Sequence, residues 1–285
     1  MTGTGVAVGV TGATGRLGGR VARLLADAGL DQRLVVRSAA RAPALPGVTV
    51  AEASYGDGDA ARRALVGLDV LLMVSGSESE DRVDQHRTFV DAAVDAGVRH
   101  LVYVSFLGAA PHSTFLLARD HDLTERHVEA SGVAWTFLRD SLYADFLPML
   151  AGEDGVLRGP AGDGRVAAVA QDDIAAVAAA VLRAPAGHEG RRYDLTGPEA
   201  FTLTEAAATM SRVLGRPHRF HHETFEEAYE SRARYGAPSW MVDAWVSTYT
   251  AIASGELARV SGDVERVTGR APRALDDALG SLAEG

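Results

Sequence analysis

The chain has 285 residues, 47% of them hydrophobic and 23% charged, and it contains no cysteine. That length supports a sizeable core, and the composition excludes disulfides, thiolate metal sites and a cysteine nucleophile. A formal net charge of −10 argues against nucleic acid or an anionic membrane as partner. No leader precedes the first strand and no apolar run reaches membrane-spanning length, so a cytoplasmic enzyme with a small-molecule substrate is expected.

The first predicted strand, Val6–Val10, runs into glycines at 12, 15 and 18, and a helical pattern over Arg16–Ala28 follows at once. Strand, tight glycine turn and helix in that order form a dinucleotide-binding signature. The glycines let a pyrophosphate approach the backbone, and the helix start offers it unpaired N–H groups and the positive end of the dipole. Further strands are predicted at Arg33–Val36, Val48–Ala51, Val70–Val74, Leu101–Ser105 and Trp135–Leu138, with helices at Asp59–Val66, Arg82–Ala96 and Asp120–Ser131. Gly29, Gly67, Gly97 and Gly132 each fall just past a helix, where C-caps lie. The alternation predicts a doubly wound parallel α/β sheet of the Rossmann type over residues 1–150.

Beyond Asp140 the rhythm changes. Gly155–Arg165 is Gly-rich and reads as a loop, Val166–Ala170 and Arg192–Leu195 as strands, and Asp172–Arg183 as the helix between them. Thr202–Leu214 opens with a capping-box pattern, Arg219–His221 is a short strand candidate, and the remainder is helical. Residues 151–285 are therefore expected to form a smaller, mixed but mainly helical C-terminal lobe, interleaved with the sheet edge, with Trp240 and Trp245 in its core or in a pocket lid. His218, His221 and His222 lack a carboxylate at ligand spacing, so no metal is expected.

The second strand ends in Val36-Arg37-Ser38, where NAD-specific sites place an acidic residue to hold the ribose. Asp31 precedes the strand and is misplaced for that role, whereas Arg37 offers a permanently charged fork suited to a phosphate, with Arg16 in the glycine loop as a second cation. NADP(H) is expected to be preferred over NAD(H).

The segments Thr11-Gly12-Ala13-Thr14-Gly15-Arg16-Leu17-Gly18, Val102-Tyr103-Val104-Ser105-Phe106 and Ser131–Arg139 resemble the atypical short-chain dehydrogenases of the NmrA-like type, in particular their quinone-reductase and triphenylmethane-reductase branch. The resemblance implies cofactor contacts from the glycine loop, from Ser54 and Tyr55 near the adenine, from Val74, Ser75 and Gly76, and from Val104, Ser105 and Phe106, with Ser105 near the nicotinamide. It also exposes a departure. All 28 basic residues are arginine, and asparagine is absent too, so the usual Tyr-x-x-x-Lys apparatus cannot exist. Counting back from Glu125 puts His121 in the lysine slot and Leu117 in the tyrosine slot. His121 is then either a ribose or proton-relay group or a helix-surface histidine, and Tyr143 is either a substrate contact or lobe packing. The implied activity is hydride transfer from NADPH to a small electron-poor acceptor such as a quinone. An NADP(H)-binding redox sensor with little turnover and a secondary-metabolite reductase or isomerase are the alternatives, and a homodimer is allowed.

Overall fold

A computed structural model describes residues 6–283, which form two compact units. Among the described residues, the first comprises 6–105, 120–139 and 174–193; the second comprises 106–119, 140–173 and 194–283.

The first unit is built on β1 (Val8–Thr11), α1 (Arg16–Asp27), β2 (Gln32–Val36), β3 (Val48–Glu52), α2 (Gly58–Leu65), β4 (Val70–Val74), α3 (Arg82–Asp95), β5 (His100–Phe106), α4 (Leu116–Ala130) and β6 (Ala134–Asp140). The sheet order is β3-β2-β1-β4-β5-β6, closed at one edge by a later strand, β9. Strand β1 runs parallel to both β2 and β4, β2 to β3 and β4 to β5, which places the reversal of strand order between β1 and β4. The central strands are buried, as Val70–Met73 and His100–Phe106 illustrate, whereas the edge strand β3 is half-buried to exposed. Leu65, Leu71, Met73, Phe89, Tyr103 and Phe137 pack into one core. The four expected C-cap glycines all take positive φ, from 73° to 85°.

The chain continues through α5 (Leu147–Leu150), β7 (Val156–Gly159), β8 (Arg165–Val166), α6 (Gln171–Arg183), β9 (Arg191–Leu195), β10 (Phe201–Thr202), α7 (Leu203–Leu214), β11 (Arg219–His222), α8 (Phe225–Ala233), α9 (Ser239–Ala253), α10 (Asp263–Thr268) and α11 (Leu275–Ala283). The second unit has its own core, including Phe106, Phe115, Leu147, Leu157, Met210, Tyr249, Ile252 and Leu279. Capping boxes at Thr202/Glu205 and Thr224/Glu227 start α7 and α8.

Three expectations change. Val156–Gly159 is a strand rather than loop, because β11, some sixty residues later, supplies its parallel partner from Arg219↔Val156 to His222↔Gly159. The strand expected over Val166–Ala170 shrinks to Arg165–Val166 plus an isolated bridge between Val169 and Tyr143. Helix α4 begins at Leu116, not Asp120, its start tied down by the bond from Leu116 N–H to Ser247 Oγ.

Candidate active site

Strand β1 delivers Thr11 and Gly12 to the head of α1. Gly12 has φ +66°, and a Cβ there would stand 3.0 Å from Val74 Cβ, so the site needs glycine on both counts. Gly15 N–H closes the turn onto the Gly12 carbonyl at 2.9 Å and is the N-cap of α1, with no capping side chain and no acidic residue in the first turn. Among the described residues, the first N–H groups of α1 thus lack a side-chain acceptor, as a phosphate-binding helix start requires. A Cβ on Gly18 would sit 2.7 Å from the Thr11 carbonyl oxygen and closer still to that of Gly12. The third glycine therefore serves helix–strand packing.

In front of this turn lies a cleft of about 580 Å³ lined by Gly12, Thr14, Gly15, Arg37, Ser54, Tyr55, Val74, Ser75 and Gly76, together with Val35, Val36, Ala53, Gly56, Ser77, Ser79 and Gln85. Arg37 is exposed at the end of β2 and, among the described residues, makes no ion pair or hydrogen bond. Arg16 is exposed and Ser38 half-buried at the head of a 3-10 turn; neither lines the cleft.

Behind the cleft, three groups form a closed ring of hydrogen bonds. Tyr55 Oη donates to the Val74 carbonyl at 2.6 Å, Val74 N–H donates to Thr11 Oγ1 at 2.9 Å, and Thr11 Oγ1 donates to Tyr55 Oη at 2.6 Å. The tyrosine ring packs against Phe89, with centroids 4.3 Å apart, and burial raises the pKa of its phenol. The Tyr55 hydroxyl and Thr11 Oγ1 are thus both taken up in tying the ends of β1 and β4 together.

The turn at Gly76 is clamped from α3. Its N–H donates to His86 Nε2 at 2.9 Å, and its carbonyl accepts from Arg82 Nε at 3.0 Å. His86 is fully buried; since Nε2 accepts, Nδ1 carries the proton and donates to Thr124 Oγ1 at 3.0 Å. Burial first, and Arg82 second, lower the His86 pKa to about 3. The same arginine donates through Nη2 to His121 Nε2 at 3.1 Å, leaving the His121 Nδ1 proton for Tyr103 Oη at 2.9 Å. His121 is 5% exposed, and burial, then Arg82, His86 and Arg139, hold its pKa well below the imidazole range. It is a neutral, engaged part of the cleft's support: its burial corrects the surface-histidine alternative, and it is not among the residues that line the cleft.

Ser105 is likewise withdrawn. It is fully buried and donates to Glu125 Oε1 at 2.5 Å, while Arg139 grips the same carboxylate through Nε at 2.9 Å and Nη2 at 2.5 Å. Val104 and Leu17 are core residues. Phe106 packs in the second unit's core against Phe115, at 4.7 Å between centroids. In that second unit Tyr143 donates to Asp140 Oδ2 at 3.0 Å, and burial raises the Asp140 carboxyl pKa well above its ordinary value. Among the described residues no group of three or more His, Asp or Glu could hold a metal, and no helix is long and apolar enough to cross a membrane.

A family profile described as NAD(P)H-binding matches residues 12–185, more than half of the chain and the whole span that builds this cleft. The chain belongs to this NAD(P)H-binding family. It is 38% identical over 243 residues to quinone oxidoreductase 2 of Escherichia coli, covering 83% of this chain and 84% of that one. It is 36% identical to an NAD(P)H azoreductase of Xenophilus azovorans, covering 93% of each. Among solved structures it is similar to the NADPH complex of the E. coli NADPH-dependent quinone oxidoreductase, with a TM-score of 0.86 and 34% identity over 96% of this chain and 99% of that one.

Within the family's cleft, the glycine turn, Arg37 and the strand-end residues after β3 and β4 were readable from motif and position. Arg82, His86 and Gln85 were not. They sit in the first turns of α3 with no motif of their own, and only the fold reveals that α3 backs the Gly76 turn. The one hint was Arg82 and His86 at helical spacing four apart, which shares a face.

Proposed function

We propose that the protein is an NADPH-dependent reductase of small, flat, electron-poor acceptors such as quinones. The observation that carries this is the glycine-turned cleft ending at an unpaired Arg37, joined to family membership. The residues fit the cofactor: the open N–H groups at the head of α1 would hold the pyrophosphate, and Arg37 the ribose phosphate. Ser54 and the Tyr55 ring would flank the adenine, and Ser75 and Gly76 would leave room for the rest. When bound, NADPH supplies a hydride.

The chain's own part is orientation. The His86–Arg82 clamp fixes the Gly76 turn, and the Thr11–Tyr55–Val74 ring fixes the strand ends on either side of the reversal point. His121 and Ser105 are consumed by structural partners, so neither supplies a proton. That suits an acceptor whose reduced anion is protonated by water and disfavours a simple ketone, whose alkoxide needs a donor. The net charge of −10 supports a small molecule rather than nucleic acid as the partner.

Steady-state NADPH oxidation against a quinone panel, beside calorimetric NADPH binding, tests the proposal. Turnover with at least one quinone is expected. Tight NADPH binding with no turnover of any quinone, azo compound or enone would replace it with the redox-sensor reading, which the missing proton donors also fit.

A further inference from the structure

The second unit holds a cavity of its own, about 430 Å³, walled by α5, β7, the end of α8 and α9. It goes beyond the reductase reading, because every lining residue belongs to the second unit and none to the cofactor cleft. Its rim leaves apolar surface open to solvent: Met149 is 57% exposed, Leu150 39% and Tyr235 60%. Trp245 stands edge-on to Tyr235 at 5.9 Å and 87°, and Tyr249 follows one helical turn later on α9. Isolated exposed apolar residues are ordinary, but three of them around one aromatic-walled concavity point to a ligand site, and the volume lies within the range of about 300–1,000 Å³ typical of small-molecule pockets and leaves ample room for two or three fused rings.

Charge narrows the ligand further. Among the described residues no carboxylate lines the cavity, and three arginines do. Arg158 is neutralised by Asp154 at 2.5 Å and Arg232 by the buried Glu223 at 2.8 Å. Arg234 is different. Its guanidinium lies 4.9 Å over the Tyr235 ring and donates to the Tyr235 hydroxyl at 2.8 Å, and among the described residues it has no acidic partner. A cation held against an aromatic wall by stacking, with its charge unanswered, selects a ring that carries a negative group. We propose that this cavity binds a planar aromatic molecule bearing one acidic substituent.

The test uses the full chain without NADPH and a redox-inert probe, naphthalene-2-sulfonate, with neutral 2-naphthol as its partner. Calorimetry should give saturable one-to-one binding of the sulfonate. Arg234→Gln should weaken the sulfonate roughly tenfold while leaving 2-naphthol within about twofold. Tyr235→Ala, another exposed position, should weaken both ligands. Saturating NADPH should not displace the probe. Absence of saturable binding, equal affinities in wild type and both variants, or stoichiometric displacement by NADPH would each overturn the proposal. So would a concentration-dependent dimer that Met149→Glu dissociates while the wild type binds no probe, since the cavity would then seat a second copy of the chain. Because the probe cannot be reduced, its binding is read independently of whether any acceptor is turned over.

Discussion

Replacing Arg37 with alanine isolates the basis of cofactor choice. The side chain is exposed and makes no ion pair or hydrogen bond among the described residues, so its removal strands no buried group. The fold should change by no more than about 0.5 kcal/mol, as for other surface substitutions. Its value is therefore realised only in the complex. A hydrogen bond to a charged group contributes about 1.5–3 kcal/mol, and at a solvent-exposed cleft mouth the lower part of that range applies. NADPH affinity should thus fall roughly tenfold to thirtyfold, while NADH affinity should stay within about twofold. Wild-type preference for NADPH should also shrink as salt rises from about 0.01 to 0.5 M, because the contact is screened. Isothermal titration of both cofactors into both proteins reads all of this directly. Equal wild-type affinity for NADPH and NADH, or a parallel loss of both in Arg37→Ala, would show that Arg37 does not hold the ribose phosphate.

Four further outcomes are expected. Gly12→Val should lose NADPH binding, since it forces a β-branched residue to φ +66° against Val74; near-normal binding by a folded variant would contradict the turn assignment. His86 stays neutral when folded, with a pKa of about 3, while the unfolded chain's imidazole takes up a proton below about pH 6.5. Stability should therefore fall as pH drops through that window, by about 2 kcal/mol between pH 7 and 5 from this residue alone, and urea unfolding of His86→Gln, which keeps an acceptor for the Gly76 N–H and cannot ionise, should show a correspondingly smaller acid loss. Glu125→Ala leaves the Arg139 guanidinium without its buried partner and should cost about 3–5 kcal/mol, read as a Tm lower by roughly 6–10 °C, with Glu125→Gln falling less. His121→Gln should leave the pH profile of turnover between pH 6 and 8 unchanged in shape; loss of a titrating limb would restore His121 as a proton relay.

Local pattern reached as far as local forces reach. The strand–glycine–helix head, the C-cap glycines and the Arg37 strand end are decided within a few residues, and all were readable. Val156–Gly159 was not, because its hydrogen-bonding partner lies far along the chain. Ser105 and His121 were placed correctly along the sequence, but their environment was not visible there. Whether a hydroxyl faces a cofactor or a carboxylate depends on where Glu125 and Arg82 end up, and that is set by how α3 and α4 meet the sheet.

The interleaving of the two units constrains how the gene can be divided. Each unit draws on three separate stretches of chain, and β5, β6, α6 and β9 all continue across the boundary. No single stop codon or fusion junction releases one unit whole. A cut near residue 150 would strip the first unit of α6 and β9, leaving β6 as a raw sheet edge open to pairing with other chains. Truncation libraries and domain swaps with relatives should therefore exchange surface loops such as Arg234–Pro238 rather than halves, and deletion from either end should yield aggregates in place of smaller folded proteins.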